Sequence, residues 1–246
     1  MLSALKNHPF AVEAFFDQSI VLTFAFPKEQ LQELVPECLS LDTYKNEWAF
    51  IAVAIVKTRD LRPKGFPKLF GNDFTLIGYR VFVNYVNNAG KRLRGLYILK
   101  SETDKKIMQI MGNLFTHYGY TTTDILMQQE GAQLNISSNL SDFSIALRAG
   151  NDEVDLPSFS PFTDWKEARR FAGPLPFTFT YNSQTKEVLI IEGVRENWTP
   201  KAVEVIDQYI PFFNNIGLSN GILANAFVIN DIRYYWKKGR IERWNH

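Results

Sequence analysis

Leu76-Ile-Gly-Tyr-Arg-Val-Phe-Val-Asn-Tyr-Val86, then Asn87-Asn88-Ala89-Gly90, then Leu93-Arg-Gly-Leu-Tyr-Ile-Leu-Lys100 read as two strands with a turn between them. Both arms are rich in β-branched and aromatic residues, which suit a pleated, half-buried surface. Asn and Gly between them tolerate the positive φ of hairpin turns. Similar signals extend outward in both directions. Residues 19–26 and 47–56 read as strands, the second nearly all apolar and so covered on both faces. Residues 41–44 form a strand joined to it by a Lys45-Asn46 turn, and Pro27 opens a short helix over 28–34. Further strands are expected at 121–128, 133–137, 141–148, 177–181, 187–192, 224–228 and 231–236.

Helical periodicity is clearest at 104–118, where Ile107, Ile110, Met111, Leu114, Phe115 and Tyr118 share one face. Thr103 or Ser101 can cap its start and Gly119 its end. Residues 164–171 read as a short helix, and Thr199-Pro200 as the start of another running to about residue 208. Residues 57–75, with two prolines and two glycines, read as a long loop, a kind of segment that often carries function. The expected class is mainly β (α+β): one antiparallel sheet curled into a barrel or sandwich, with helices at its flank.

Composition narrows the function. The chain has 246 residues, 46% apolar and 14% aromatic, so one domain over 1–246 with a sizeable core is expected. Lys and Arg number 27 against 26 Asp and Glu, which gives neither a basic face for nucleic acid nor a reason to expect an anionic membrane surface. The single cysteine, Cys38, makes no internal disulfide and points to a reducing, cytoplasmic setting. The start, Met1 to Phe10, holds Lys6, His8 and Pro9 and does not read as a secretory leader. The longest apolar stretch, 48–56, is far short of the roughly 20 residues a spanning helix needs.

Leu34-Val35-Pro36-Glu37-Cys38-Leu39 with Leu41-Asp42 resembles the start of acetoacetate decarboxylase. Ala54-Ile-Val-Lys-Thr-Arg59, Leu61-Arg-Pro-Lys-Gly-Phe-Pro67, Tyr79-Arg-Val-Phe-Val83 and Trp198 add to this. Together, over roughly residues 15–210, they resemble the YqjF-like family of the acetoacetate-decarboxylase-like superfamily. The resemblance implies a cone-like antiparallel β-barrel with flanking helices and a cavity inside. It does not carry the decarboxylase reaction. That reaction needs a lysine amine kept neutral by burial and a second lysine, so that it can form an imine with the ketone. Thr121-Thr122-Thr123 stand where the resemblance places the lysine pair. Leu76 stands in place of its glutamate, and Asp17 near its arginine.

What remains is a set of candidates. Arg80 can hold a carboxylate through its planar fork, or it is a structural ion-pair partner. Glu102, Asp124 and His117, with the hydroxyls of Tyr97, Tyr118 and Tyr120, can do acid–base work beside a cavity, or merely support a helix end and a core edge. Thr122 completes the ligand-binding candidates: Arg80, Tyr97, Glu102, Tyr118, Tyr120, Thr122 and Asp124. No catalytic residue is singled out. Lys105-Lys106 read as solvated helix residues. His8, His117 and His246 are too scattered for a metal site, and no phosphate loop or nucleophile elbow occurs. The C-terminal Arg233-Tyr-Tyr-Trp-Lys-Lys-Gly-Arg240 mixes cations and aromatics but reads as a final strand with a turn. No cofactor is expected. The leading reading is a small-molecule-binding protein. A different acid–base enzyme in the same cavity and an interaction protein that self-associates are the alternatives.

Overall fold

In a computed structural model of the chain, residues 5–148, 154–172 and 175–244 are described; the first four residues and His246 lie outside them. In chain order the elements begin with β1 (Val12–Pro27), α1 (Lys28–Gln32), β2 (Ser40–Leu41), β3 (Trp48–Pro63), β4 (Asn72–Val86) and β5 (Arg92–Thr103). Next come α2 (Lys106–Phe115), β6 (Tyr120–Thr122), β7 (Leu126–Glu130), β8 (Gln133–Ser138), β9 (Phe143–Arg148) and α3 (Trp165–Ala172). The chain continues through β10 (Phe177–Asn182), β11 (Glu187–Arg195), β12 (Lys201–Ala202), β13 (Glu204–Tyr209), α4 (Pro211–Asn215), β14 (Ile222–Trp236) and β15 (Arg240–Arg243).

Seven strands close into a ring in the order β14-β1-β3-β4-β5-β10-β11, with β11 pairing back to β14. Every pairing in the ring is antiparallel except β5 with β10. Gly95 permits that parallel approach, since a side chain there would collide with the Phe177 carbonyl and the Phe179 ring. A second sheet runs β13-β9-β8-β7.

Alternation along the ring strands builds two faces. Ile77, Tyr79, Val81 and Val83 of β4 join Ile20, Ile51 and Val53 in one core, together with Ile136, Phe143 and Ile145 of the second sheet. Burying side chains of this size contributes roughly 1.5–3 kcal/mol each, which ties the second sheet to the ring. On the opposite face stand Phe16, Phe82 and Phe227, with the small Ala52 and Ala54 of β3.

Several local expectations are corrected. Residues 57–75 are mostly strand: β3 continues to Pro63 and β4 starts at Asn72, leaving only residues 64–71 with a single 3-10 turn at Lys68–Phe70. The charges that look like loop residues are cross-strand partners, Arg59 with Asp17 at 2.8 Å and Arg62 with Glu13 at 2.7 Å. Asp60, at φ 57°, sits in the bulge that this pairing contains. Residues 199–208 are not helical. β12 pairs with β14 and β13 with β9, and Val203 and Val205 pack into the first core, so tertiary pairing overrides the proline signal. α2 ends at Phe115, has no side-chain cap at its start, and leaves Gly119 (φ 60°) in the turn beyond it. The strand expected over 121–128 is broken by the buried Thr123 and Ile125, and the two C-terminal segments join into one strand through Asp231, which holds a φ of 56°.

Candidate functional site

A cavity of about 470 Å³ lies within the ring. Each ring strand contributes to its wall: Phe16, Ala54, Arg80, Ile98, Thr178, Arg195 and Tyr234 come from seven different strands. α2 and residues 63–72 border one end. The volume falls in the range of about 300–1,000 Å³ usual for small-ligand pockets. The walls are mostly apolar, and among the described residues no Asp, Glu, Lys or Cys lines them.

Three arginines do line the cavity. Arg62 is satisfied by Glu13 at 2.7 Å and by the carbonyls of Asp60 and Phe66, each at 2.9 Å. Arg80 and Arg195 have no carboxylate partner among the described residues, and the buried Arg80 Nε–H has no acceptor. Arg195 sits over the Trp198 ring at 4.6 Å and the Tyr234 ring at 5.7 Å, a cation–π arrangement. Burial lowers the pKa of both guanidiniums from its ordinary value, and the charge of Arg80 lowers that of Arg195 further. Arginine stays protonated even so, and two positive charges share one apolar chamber.

Tyr118, Tyr120 and Tyr234 bring hydroxyls to the same chamber. Burial pushes Tyr120 up to about 12 and raises Tyr118 and Tyr234 as well. All three are therefore neutral donors near pH 7. The Tyr118 hydroxyl is buried without a partner in bonding geometry, although Thr178 lies beside it. His8 also lines the cavity; burial lowers it to about 4, and its Nε2 is unpartnered, so the ring is neutral at pH 7.

Glycines shape this cluster. A side chain at Gly78 would bring its Cβ to 2.9 Å from Arg80 Nε and 3.0 Å from its Nη2. One at Gly112 would run into the Tyr120 ring, and one at Gly193 into the Tyr234 hydroxyl. Gly78-Tyr79-Arg80 and Gly193-Val194-Arg195 thus share a Gly-x-Arg spacing, which puts both residues on one strand face. That repeat is the signal that identifies Arg195, which sequence reasoning missed. Tyr234 was hidden in a segment read only as a terminal strand.

Arg80, Tyr118 and Tyr120 are the sequence candidates that the fold brings together; Tyr97, Glu102, Thr122 and Asp124 lie elsewhere. Tyr97 packs against the first core. Glu102 is buried there too, accepting hydrogen bonds from Tyr79 Oη at 3.0 Å, Ser141 Oγ at 2.8 Å and Lys100 Nζ at 2.7 Å. Asp124 holds a turn of the second sheet, accepting from Ser138 Oγ at 2.7 Å and the Leu140 N–H at 2.9 Å. Thr122 is exposed and donates to Gln109. A bulge explains why Glu102 is not beside Arg80. Arg80 pairs with Ile98 but Tyr79 with Lys100, leaving Leu99 as an extra residue. Counting by twos from Ile98 puts Lys100 and Glu102 on the cavity face, and the extra residue turns them away. Lys105 and Lys106 are exposed. Among the described residues no group of side chains is arranged to hold a metal ion, and no helix is long and apolar enough to cross a membrane.

Residues 14–228 match the model of DUF2071, a family described as an uncharacterized conserved protein. The chain belongs to the DUF2071 family. Among solved structures, this DUF2071 member is similar to acetoacetate decarboxylase from Legionella pneumophila, at 11% identity, covering 95% of this chain and 88% of that one with a TM-score of 0.61. The enduracididine biosynthesis enzyme MppR with HEPES buffer bound is similar at 6% identity, 96% and 88% coverage and a TM-score of 0.60. An acetoacetate decarboxylase-like enzyme from Sphingomonas wittichii follows at 11% identity, 96% and 92% coverage and a TM-score of 0.52. At such identities the likeness shows a shared acetoacetate-decarboxylase-like fold. Comparison with curated proteins finds no match.

Proposed function

We propose that this protein binds a small carboxylate inside the seven-stranded ring, with Arg80 and Arg195 holding the charge. One observation carries this reading: two guanidiniums face an apolar chamber with no acidic side chain among the described residues of its wall. A buried charge is expensive unless it is paired, and a carboxylate supplied by a ligand is the pairing that the described residues do not provide. Guanidinium forks match carboxylate oxygens two by two, and the neutral tyrosine hydroxyls add donors.

The reading places the chain in a YqjF-like branch of barrel proteins that does without imine chemistry. It is supported by the motif around Arg80, the threonines at 121–123 and the lack of any lysine on the described cavity wall. The raised tyrosines favour binding over acid–base turnover, because a hydroxyl that titrates near 12 is a poor base at pH 7. Cys38 is buried and its thiol is pushed up to about 12, which suits an inert thiol in a reducing cytoplasm.

Calorimetric titration with acids and their matched amides tests the proposal. Acids bind and amides do not, and Arg80→Gln and Arg195→Gln each weaken acid binding by about 10- to 100-fold, the range for losing a charged hydrogen bond. Amides binding as tightly as acids would sink it.

A further inference from the structure

The wall of the cavity does not end at the protein surface. Phe66, Phe70 and Ile107 line it, yet they are 54%, 59% and 51% exposed. Met111 and Phe10 likewise belong both to the lining and to the exposed apolar side chains. These residues come from the 64–71 connection, from α2 and from the segment before β1, so they border one common opening. Phe66 and Phe70 meet edge to face at 6.3 Å, as do Phe10 and Phe115 at 5.2 Å. α2 shows the same design from its sequence: its apolar stripe of Ile107, Met111 and Phe115 is spent on the cavity and its mouth rather than on the core. Large apolar side chains clustered in the open usually mark a binding surface.

Building on the carboxylate reading above, we infer that the ligand is an amphipathic acid: a carboxylate with a straight or aryl apolar body. Its head lies between Arg80 and Arg195, and its tail runs along Phe82, Leu76 and Phe74 to the mouth formed by Phe66, Phe70 and Ile107. Size supports this class. At about 30 Å³ per water-sized group, 470 Å³ holds about fifteen such groups. A ligand of acetate or butanoate size leaves most of that space unfilled and covers none of the exposed rim. An acid of about a dozen carbons fills it.

The test is calorimetric titration of the intact protein with straight-chain acids from butanoate to tetradecanoate, with dodecanol as the uncharged control. Affinity is expected to tighten about fourfold per added methylene, the burial of one CH₂ group, and to level off near a dozen carbons as the chain emerges. Dodecanol binds at least tenfold more weakly than dodecanoate. Phe70→Glu and Ile107→Glu, both at exposed positions, weaken dodecanoate at least tenfold and leave butanoate unchanged. A flat series, with butanoate bound as tightly as dodecanoate, overturns the amphipathic class while leaving the carboxylate reading intact. Dodecanol bound as tightly as dodecanoate overturns the carboxylate reading itself. Equal loss of butanoate and dodecanoate in the mouth variants, or loss of neither, overturns the path of the tail.

Discussion

Replacing Arg80 by methionine should make the ligand-free protein more stable. The side chain lies on the inner face of β4 with its Nε–H buried and without an acceptor among the described residues. A buried donor left unsatisfied costs about 1–3 kcal/mol. Methionine keeps an unbranched stem beside Phe82 and Ile98 and removes the orphan donor, the desolvated charge and the repulsion with Arg195. The expected gain is about 1–3 kcal/mol, within the range seen when buried ions are exchanged for apolar side chains. For a chain of this size each kcal/mol moves the Tm by about 2–4 °C, so the midpoint should rise by roughly 2–12 °C. Differential scanning calorimetry without ligand reads it directly. Arg195→Met relieves the same repulsion but gives up the contacts with the Trp198 and Tyr234 rings, so its gain should be smaller, and the double variant should gain less than the two single gains together. Carboxylate binding should be lost in both, the trade between stability and function expected of a binding residue. If Arg80→Met instead lowers stability by more than about 1 kcal/mol, the guanidinium is an integral structural partner and the argument for a withheld counter-ion fails.

Gly78→Ala should keep the fold but push the Arg80 guanidinium aside, since the new Cβ meets Nε at 2.9 Å; titration should show carboxylate binding weakened about tenfold with little change in Tm. Gly112→Ala forces a methyl group into the Tyr120 ring, and thermal unfolding should register a loss of about 1–3 kcal/mol. His8 is held near 4, below its ordinary 6.5, so the unfolded chain takes up the proton first and stability falls as pH drops from about 6.5 towards 4, by at most about 3 kcal/mol. His117 is lowered by burial and adds with the same sign; chemical denaturation of His8→Asn between pH 4.5 and 7 should show most of that dependence removed. Glu102→Leu leaves Tyr79 Oη and Ser141 Oγ without their acceptor and should cost about 2–4 kcal/mol in urea unfolding, while ligand affinity stays unchanged because Glu102 faces the other core.

Strands and hairpins were legible because their signals are local. The alternation in 76–86 and the Asn-Gly turn after it state both the β4–β5 pairing and which residues share a face with Arg80. Arg80 itself was legible as a charge in an otherwise bulky strand. Tyr118 and Tyr120 were legible as polar groups at the exit of an amphipathic helix. The rest of the site was not, for reasons that can be named. Arg195 and Tyr234 are directly paired, but they stand 39 positions apart in the chain, and only the β11–β14 closure of the ring brings them to Arg80. Glu102 was a candidate for its place beside the helix after the hairpin, and the bulge in β5, which no local signal announces, turns it away from the cavity. The loop expected at 57–75 and the helix expected at 199–208 failed in the same way. Their local composition is ambiguous, and distant partners, Asp17 and Glu13 for one and β9 and β14 for the other, settled the backbone state.

By itself, then, the sequence determined a strand-rich chain, its central hairpin, the apolar stripe of α2 and the glycines that precede two arginines, because period, turn chemistry and side-chain size act over a few residues. Only the tertiary structure decided that this stripe faces a cavity, that two guanidiniums without a carboxylate partner among the described residues meet three tyrosines there, and that the described wall carries no acid to neutralise them. Closure of a ring is a property of all seven strands together, and the desolvation that gives those charges their meaning exists only once the ring is closed.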